Sequence, residues 1–196
     1  MPAKPARPPY QLTIGQWIVN AEARRDAKGR ISVYKLPKGD GGGTFEVAGI
    51  NDRYHPANAR ELRKLIESGQ HAQAEKRAAE IILDYTQPVA EWTSWTCFEA
   101  FLRDCFFNRG PGGAAKILQI ALGTVKVDGK VGPRTKQAMF AIPSESRRVF
   151  LQALRAARET YELQIAPPIG PRKKFWPGLV NRWNAAQKFA DTFLAP

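Results

Sequence analysis

Glu22 is the residue in this sequence whose type and position best suit proton transfer. It follows Ile14 by eight residues and Ile18 by four, which puts it on the apolar flank of a predicted helix. It also falls in the last turn, where the helix dipole disfavours a negative charge. Both conditions favour the protonated carboxyl, the form that a general acid must hold. A surface glutamate paired with Arg25 or Lys28 is the alternative at this position.

Two further polar residues follow at a glycine-rich turn. Asp40 lies within the segment PKGDGGG, and Thr44 begins the apolar stretch after it. A carboxylate and a hydroxyl placed opposite an acid can orient a water molecule for hydrolysis. Asp-Gly is also common turn chemistry, and a threonine can simply be a strand residue. Glu46 and Asp26 are the alternative second carboxylates, although both are of a kind that is usually solvated at the surface.

The elements that must hold these residues are mainly α-helical. Apolar residues at helical spacing predict a first helix from Thr13 to a turn at 24–28. The segments RISVYKL and TFEVAGI, joined by the glycine-rich turn, predict one small β-hairpin near the N-terminus. The remaining helices are predicted at 60–68, 70–85, 94–108, 114–122, from Pro133, after a cap at Ser144, and at 179–194.

The charge balance limits the classes of partner. The 196 residues include 30 Lys and Arg against 18 Asp and Glu, a formal charge of +12. Such a charge favours a polyanion, which could be nucleic acid, an anionic membrane face or a bacterial envelope. The sequence carries no helix-turn-helix signature, zinc knuckle or basic-aromatic strand, so we expect no nucleic-acid partner.

Cysteine and histidine usage argues against metal chemistry. Cys97 and Cys105 are eight residues apart in one predicted helix. That spacing is about 12 Å at roughly 1.5 Å per residue, beyond the roughly 7 Å Cα separation that a disulfide tolerates. We therefore predict two buried free thiols. With only His55 and His71 besides, no metal-ligand spacing exists, and we expect neither a metal nor another cofactor.

The ordered series of motifs resembles glycoside hydrolase family 108, lysozyme-like N-acetylmuramidases that are often phage endolysins. The similarity runs through WIVNAE, which ends at Glu22, then DGGGTFEVAGI, FFNRGPGGAAKILQ, VDGKVGPRT and FWPGLVNRW. Two positions depart from the family pattern. Ala23-Arg24-Arg25 stand where the family has Gly-Gly-Tyr after the acid, and Tyr85-Thr86 stand where it often has Tyr-Trp.

The resemblance implies a lysozyme-like fold with the hairpin beside a catalytic cleft, and Glu22 as the general acid. Asp40 and Thr44 are the implied helpers. A carboxyl separation of roughly 6.5–9.5 Å would give inversion at the anomeric carbon, and one near 5 Å retention. We expect four residues to bind substrate. They are Tyr34 in place of the family's loop aromatic, Tyr85, Trp92 beside a loop, and Asn108, which could equally cap a helix terminus.

The expected organisation is a flexible tail at 1–10, a catalytic half at 11–106 and a helical peptidoglycan-binding-like half at 107–196, packed as one globular unit. The expected reaction is bacteriolytic cleavage of the β-1,4 bond between N-acetylmuramic acid and N-acetylglucosamine. The alternative is a non-catalytic peptidoglycan-binding protein with a degenerate site. We expect a monomer that binds peptidoglycan and an anionic envelope surface such as lipopolysaccharide. Without a signal peptide, it would be made in the bacterial cytoplasm and act in the periplasm after phage-type release.

Overall fold

The computed structural model describes residues 7–37 and 43–194. Its contacts divide the chain into two compact units, Met1–Tyr85 and Thr86–Pro196. The architecture is mainly α with a small antiparallel sheet near the N-terminus, which confirms the predicted fold class. The expected division after residue 106 falls inside a helix of the second unit. No helix within the described residues is long and apolar enough to cross a bilayer.

Within 7–37 and 43–85, the first unit contains three helices and the sheet. Its helix α1 begins at Pro9, inside the stretch predicted to be a tail, because proline at the first helical position supplies a suitable φ and needs no hydrogen-bond acceptor. Gly15 lets α1 approach the helix α3 (His71–Tyr85) closely, since a Cβ there would lie 2.9 Å from the Leu83 side chain. The elements are α1 (Pro9–Glu22), β1 (Tyr34–Lys35), β2 (Phe45–Val47), β3 (Ile50–Asn51), α2 (Pro56–Glu67) and α3 (His71–Tyr85).

The sheet has three antiparallel strands in the order β1-β2-β3, where the sequence predicted two. The predicted return strand divides because Ala48 and Gly49 take φ values of 50° and 74° and reverse the chain between β2 and β3. Such a two-residue turn matches the right-handed twist of its strands. The first predicted strand is also shorter than expected, since Ile31 forms only an isolated bridge with Arg25.

The second unit is built on α4 (Thr96–Leu122), which packs against α6 (Arg147–Ile165) and α7 (Trp176–Asp191). The two helices predicted at 94–108 and 114–122 are joined in α4 across a break at Gly110, whose φ is 67°. The other helices are α5 (Pro133–Phe140), α6 (Arg147–Ile165) and α7 (Trp176–Asp191). The buried apolar side chains of this unit include Phe98, Phe101, Leu118, Leu154 and Trp183.

Two local predictions about the second unit can be compared with the structure. Ser144 does not cap α6, because it begins a 3-10 turn, Ser144–Ser146, and its hydroxyl contacts Glu145. Cys97 and Cys105 are buried free thiols, as predicted. Burial raises the pKa of Cys97 to about 11 and that of Cys105 to about 12, so both thiols are protonated at neutral pH.

Candidate functional site

Glu22 is the last residue of α1, and its side chain is half-buried. The helix ends there because Ala23 turns to an extended conformation, with φ −67° and ψ 130°, while its amide still donates to the carbonyl of Val19 at 2.7 Å. The carboxyl of Glu22 therefore lies at the carbonyl end of the helix and directly before a loop, as the sequence predicted.

The loop after Glu22 is fastened by Arg25. Its guanidinium forms an ion pair with Glu75 on α3 at 2.7 Å and donates to Asn20 Oδ1 at 2.6 Å and to the carbonyl of Gly29 at 3.0 Å. Gln16 on α1 donates to the same Glu75 carboxylate at 2.8 Å. The hydrogen bond between Arg25 and Glu75 raises the pKa of the arginine and lowers that of the glutamate. Arg25 thus joins the loop to α1 and α3 around the position of the candidate acid.

Asp26, one of the alternative second carboxylates, organises the same loop. Its Oδ1 accepts the backbone amides of Lys28 and Arg30, each at 2.9 Å, and its Oδ2 accepts the Arg30 side chain at 2.8 Å. These bonds, led by the one from the Arg30 side chain, lower the pKa of Asp26 to about 2. Asp26 is therefore ionised and occupied by the turn at neutral pH.

Asp52, which follows β3, is the carboxylate that sequence reasoning missed. It accepts the backbone amide of Thr44 at 2.7 Å and the Thr44 hydroxyl at 2.5 Å, and the amide of Phe45 at 3.3 Å. The hydroxyl bond is the largest cause of a lowered pKa at Asp52. Gly43 makes room for the carboxylate, since a Cβ there would lie 2.1 Å from Asp52 Oδ1. The sequence signal near this site was the glycine-rich turn before Thr44. It indicates a turn, but it does not identify Asp52 as the residue that accepts the hydrogen bonds of Thr44.

The other predicted residues around the sheet have separate surroundings. Asp40 lies outside the described residues. Glu46 stands in β2 opposite Tyr34 of β1, and it is half-buried. The Arg24 guanidinium lies 5.1 Å from the centre of the Tyr34 ring, a cation–π distance. Tyr34 is therefore held beside the residues that follow Glu22.

Tyr85 lies at a pocket of the first unit. This pocket has a volume of about 320 Å³ and also offers the amide of Asn58 and the imidazole of His55. The rings of Tyr85 and His55 meet edge to face at 5.1 Å. Burial lowers the pKa of His55, so its imidazole is neutral at pH 7. Glu22 is not among the residues that line this pocket.

The two remaining predicted residues, Trp92 and Asn108, belong to the second unit. Trp92 is 7% exposed and packs on Phe106 at 5.8 Å between ring centres. The expectation that its ring is open for sugar stacking is thus wrong, because the ring is buried and packs on Phe106. The exposed Asn108 donates to the carbonyl of Asp104 at 3.0 Å. This bond lies within α4, and Asn108 precedes the break at Gly110 by two residues.

Within the described residues, no group of three or more His, Cys, Asp or Glu side chains is arranged to hold a metal ion.

Part of the chain matches a known family. Residues 113–184 match a family described as "Predicted Peptidoglycan domain". This stretch starts just after the break at Gly110, includes α5 and α6, and ends within α7. The search of curated proteins gave no match to this chain. The match supports an association of the second unit with peptidoglycan.

Proposed function

We propose that this protein is a peptidoglycan hydrolase of the muramidase type. The first unit would cleave the β-1,4 bond between N-acetylmuramic acid and N-acetylglucosamine, with Glu22 as general acid. The second unit would bind the wall. The observation that carries the catalytic part is the placement of the half-buried Glu22 carboxyl at the end of α1, beside a loop that Arg25 fastens to two helices.

The proposed reaction begins with proton transfer. Glu22 donates its proton to the glycosidic oxygen, the bond from that oxygen to the anomeric carbon breaks, and positive charge develops on the sugar ring. A water molecule then attacks the anomeric carbon and loses its proton to a carboxylate. Asp40 is the candidate for this base. A loop that is itself fastened to α1 and α3 directly after Glu22 suits such a reaction, since small displacements of a catalytic group are costly.

Thr44 can take part in a specific way. Its hydroxyl donates its only hydrogen to Asp52, so the oxygen lone pairs remain to accept a hydrogen bond from the attacking water. The Thr44 oxygen would then orient the water, while Asp52 fixes the rotamer of Thr44. Tyr85 and Asn58 give the first unit an aromatic face and an amide at one pocket, groups that suit the ring and the acetamido substituent of an N-acetylated sugar.

A second function is a non-catalytic peptidoglycan-binding protein. Two observations favour it. The family match lies wholly in the second unit, and the residues after Glu22 form a self-contained structural loop around Arg25 and Asp26. In this case the protein would bind the wall without releasing sugar.

Replacement of Glu22 by Gln tests the catalytic proposal. We expect this variant to lose about 10²- to 10⁴-fold of the activity, the usual contribution of a positioned general acid. The assay is the release of reducing ends from purified peptidoglycan, followed by mass spectrometry of the released muropeptides. A new reducing end on N-acetylmuramic acid identifies a muramidase.

The matched control is Glu67→Gln, an exposed glutamate in α2 that pairs only with its neighbour Arg63 among the described residues. It should retain full activity. Equal activity of Glu22→Gln and the unmodified protein would remove Glu22 from the acid role. If the unmodified protein pellets with insoluble wall and releases no reducing ends, the non-catalytic function replaces the proposal.

A further inference from the structure

The second unit contains a pocket that the catalytic proposal does not use. It has a volume of about 550 Å³ and is lined by residues between Thr124 and Thr135, in the loop before α5 and the first turn of that helix. All of it lies within the stretch that matches the peptidoglycan family. The volume is within the range of small-ligand sites, roughly 300–1,000 Å³.

The pocket carries an unbalanced positive charge. Lys126, Lys130 and Arg134 line it with exposed side chains, and no ion pair joins any of these three to a carboxylate within 7–37 or 43–194. The carboxylate that lines the pocket belongs to Asp128, and it already accepts hydrogen bonds from the protein. Its Oδ1 accepts Gln119 Nε2 at 2.8 Å and the Lys130 amide at 2.9 Å. The three cations therefore outnumber the one carboxylate among the residues that line the pocket.

A single buried amide fixes the shape of this loop. Gln119 on α4 is 1% exposed, and its Oε1 accepts the backbone amides of Asp128 at 3.0 Å and Gly129 at 2.9 Å. Its Nε2 also donates to the carbonyl of Lys130 at 3.0 Å. Because these bonds hold the loop from the interior, the cations are presented on a preformed backbone. Preorganisation of this kind lowers the entropy cost of binding.

The composition of the walls distinguishes between ligand classes. None of the nine lining residues in the described chain is aromatic, so the pocket lacks the flat apolar face on which a sugar ring stacks. Val125 and Pro133 instead supply small apolar surfaces beside the cations. Small apolar groups next to charged donors fit an alanine side chain next to a free carboxylate.

We infer that this pocket binds the carboxylate end of the peptide part of peptidoglycan, with Lys126, Lys130 and Arg134 facing the carboxylate. The glycan strand is the less suitable ligand for this pocket. The inference rests on the proposed role of the second unit in peptidoglycan binding and is independent of catalysis by Glu22.

The test uses the full-length protein and diacetyl-Lys-D-Ala-D-Ala as a soluble probe, with the same peptide amidated at its C-terminus as the comparison. Binding is followed by NMR titration of the backbone amides. We expect the free carboxylate form to shift the amides of 124–135. We expect the triple variant Lys126→Gln, Lys130→Gln, Arg134→Gln to weaken its binding by about tenfold or more, because charge-assisted hydrogen bonds are lost. Lys188→Gln, an exposed cation of α7 outside the pocket, should bind as the unmodified protein does.

Three outcomes would overturn the inference. They are no binding of the probe, equal binding of the acid and amide forms, and equal losses in the triple variant and Lys188→Gln. A fourth outcome is a shift of the same amides by an N-acetylglucosamine oligomer, which carries no carboxylate, and it would replace the peptide with the glycan. Pelleting of the unmodified protein with insoluble wall distinguishes failure of this inference from failure of the proposed function. If the protein pellets with the wall but does not bind the peptide, only the role of the pocket is overturned. If the protein does not pellet with the wall, the wall-binding role of the second unit is overturned.

Discussion

Asp52 changes what Thr44 is expected to do. Sequence reasoning treated Thr44 as a hydroxyl beside an acid, and the structure shows that its hydrogen is committed to a carboxylate eight residues later. The same carboxylate accepts the amides of Thr44 and Phe45. Because the carboxylate holds both the backbone and the side chain, the conformation at Thr44 depends on Asp52 remaining ionised.

The lowered pKa of Asp52 therefore predicts an acid-sensitive contact. A carboxyl whose pKa is lower in the folded state contributes stability above its unfolded pKa, about 3.9, and loses that contribution as the pH falls through its folded pKa. Replacement of Thr44 by Val removes the hydroxyl donor and should raise the pKa of Asp52 towards its ordinary value. A carbon-detected NMR titration of the Asp52 carboxyl measures this shift.

Thr44→Ser is the matched control, since it keeps the hydroxyl and should leave the Asp52 titration near that of the unmodified protein. An unchanged pKa in Thr44→Val would show that the backbone amides alone account for the shift.

At the scale of elements, the sequence predicts the features that depend on local pattern, such as the buried face of a helix and the residue at which a helix begins. Ile14 and Ile18 mark the buried face of α1, and Pro133 correctly marks the start of α5. Contacts between residues that are far apart in the sequence cannot be predicted from local periodicity. Arg25 and Glu75 are 50 residues apart, and nothing in the spacing of either predicts the pair.

The division of the sheet was missed for a related reason. TFEVAGI alternates as one strand would, and only a backbone reversal at Ala48 and Gly49 separates β2 from β3. Ala48 is the one residue other than glycine with positive φ among the described residues. Since alanine seldom adopts that conformation, its propensity argued against a turn there. For the candidate site, Glu22 could be placed from the sequence, and Asp52 could not.

The contact between α1 and α3 gives a prediction at this scale. A Cβ at Gly15 would lie 2.9 Å from Leu83 and 3.0 Å from the backbone carbonyl of Ala79, and the carbonyl cannot easily move. Gly15→Ala should lower the free energy of unfolding by about 1–3 kcal/mol, the usual cost of overpacking. Urea unfolding followed by circular dichroism measures the change.

Gly178→Ala provides the comparison, because Gly178 lies in α7 with no atom within 4 Å of its Cβ position. This variant should be neutral or more stable by up to about 1 kcal/mol, owing to the helix propensity of alanine. If Gly15→Ala were as stable as Gly178→Ala, the close approach of α1 and α3 would be wrong.

At the scale of the whole chain, the dominant physical property is charge. An excess of 12 positive charges would attract an anionic polymer over distances longer than any contact, and under the proposed function that polymer is the wall. This attraction depends on the net charge and not on any particular residue. Binding in the pocket before α5 depends instead on the few cations that line it. The two contributions should therefore respond differently to salt and to single substitutions.

We predict that pelleting with purified anionic wall weakens by about tenfold or more when salt rises from about 0.1 M to about 1 M, as the screening length falls from about 10 Å to about 3 Å. Sedimentation of the full-length protein at increasing sodium chloride measures this effect. Wall stripped of teichoic acid is the comparison and should show a smaller dependence. Salt-independent pelleting would contradict a role for the net charge.

The hydrogen bond from the amide of Leu36 to the carbonyl of Thr44, at 3.0 Å, has a consequence for protein engineering. It closes the base of the connection from β1 to β2, and Asp52 secures one flank of that connection separately. Adding residues to a closed connection costs little, about 0.6 kcal/mol for each doubling of its length. Residues inserted between Pro37 and Gly43 with Asp40 kept should therefore cost little stability, whereas replacement of the whole stretch would also remove the proposed catalytic base.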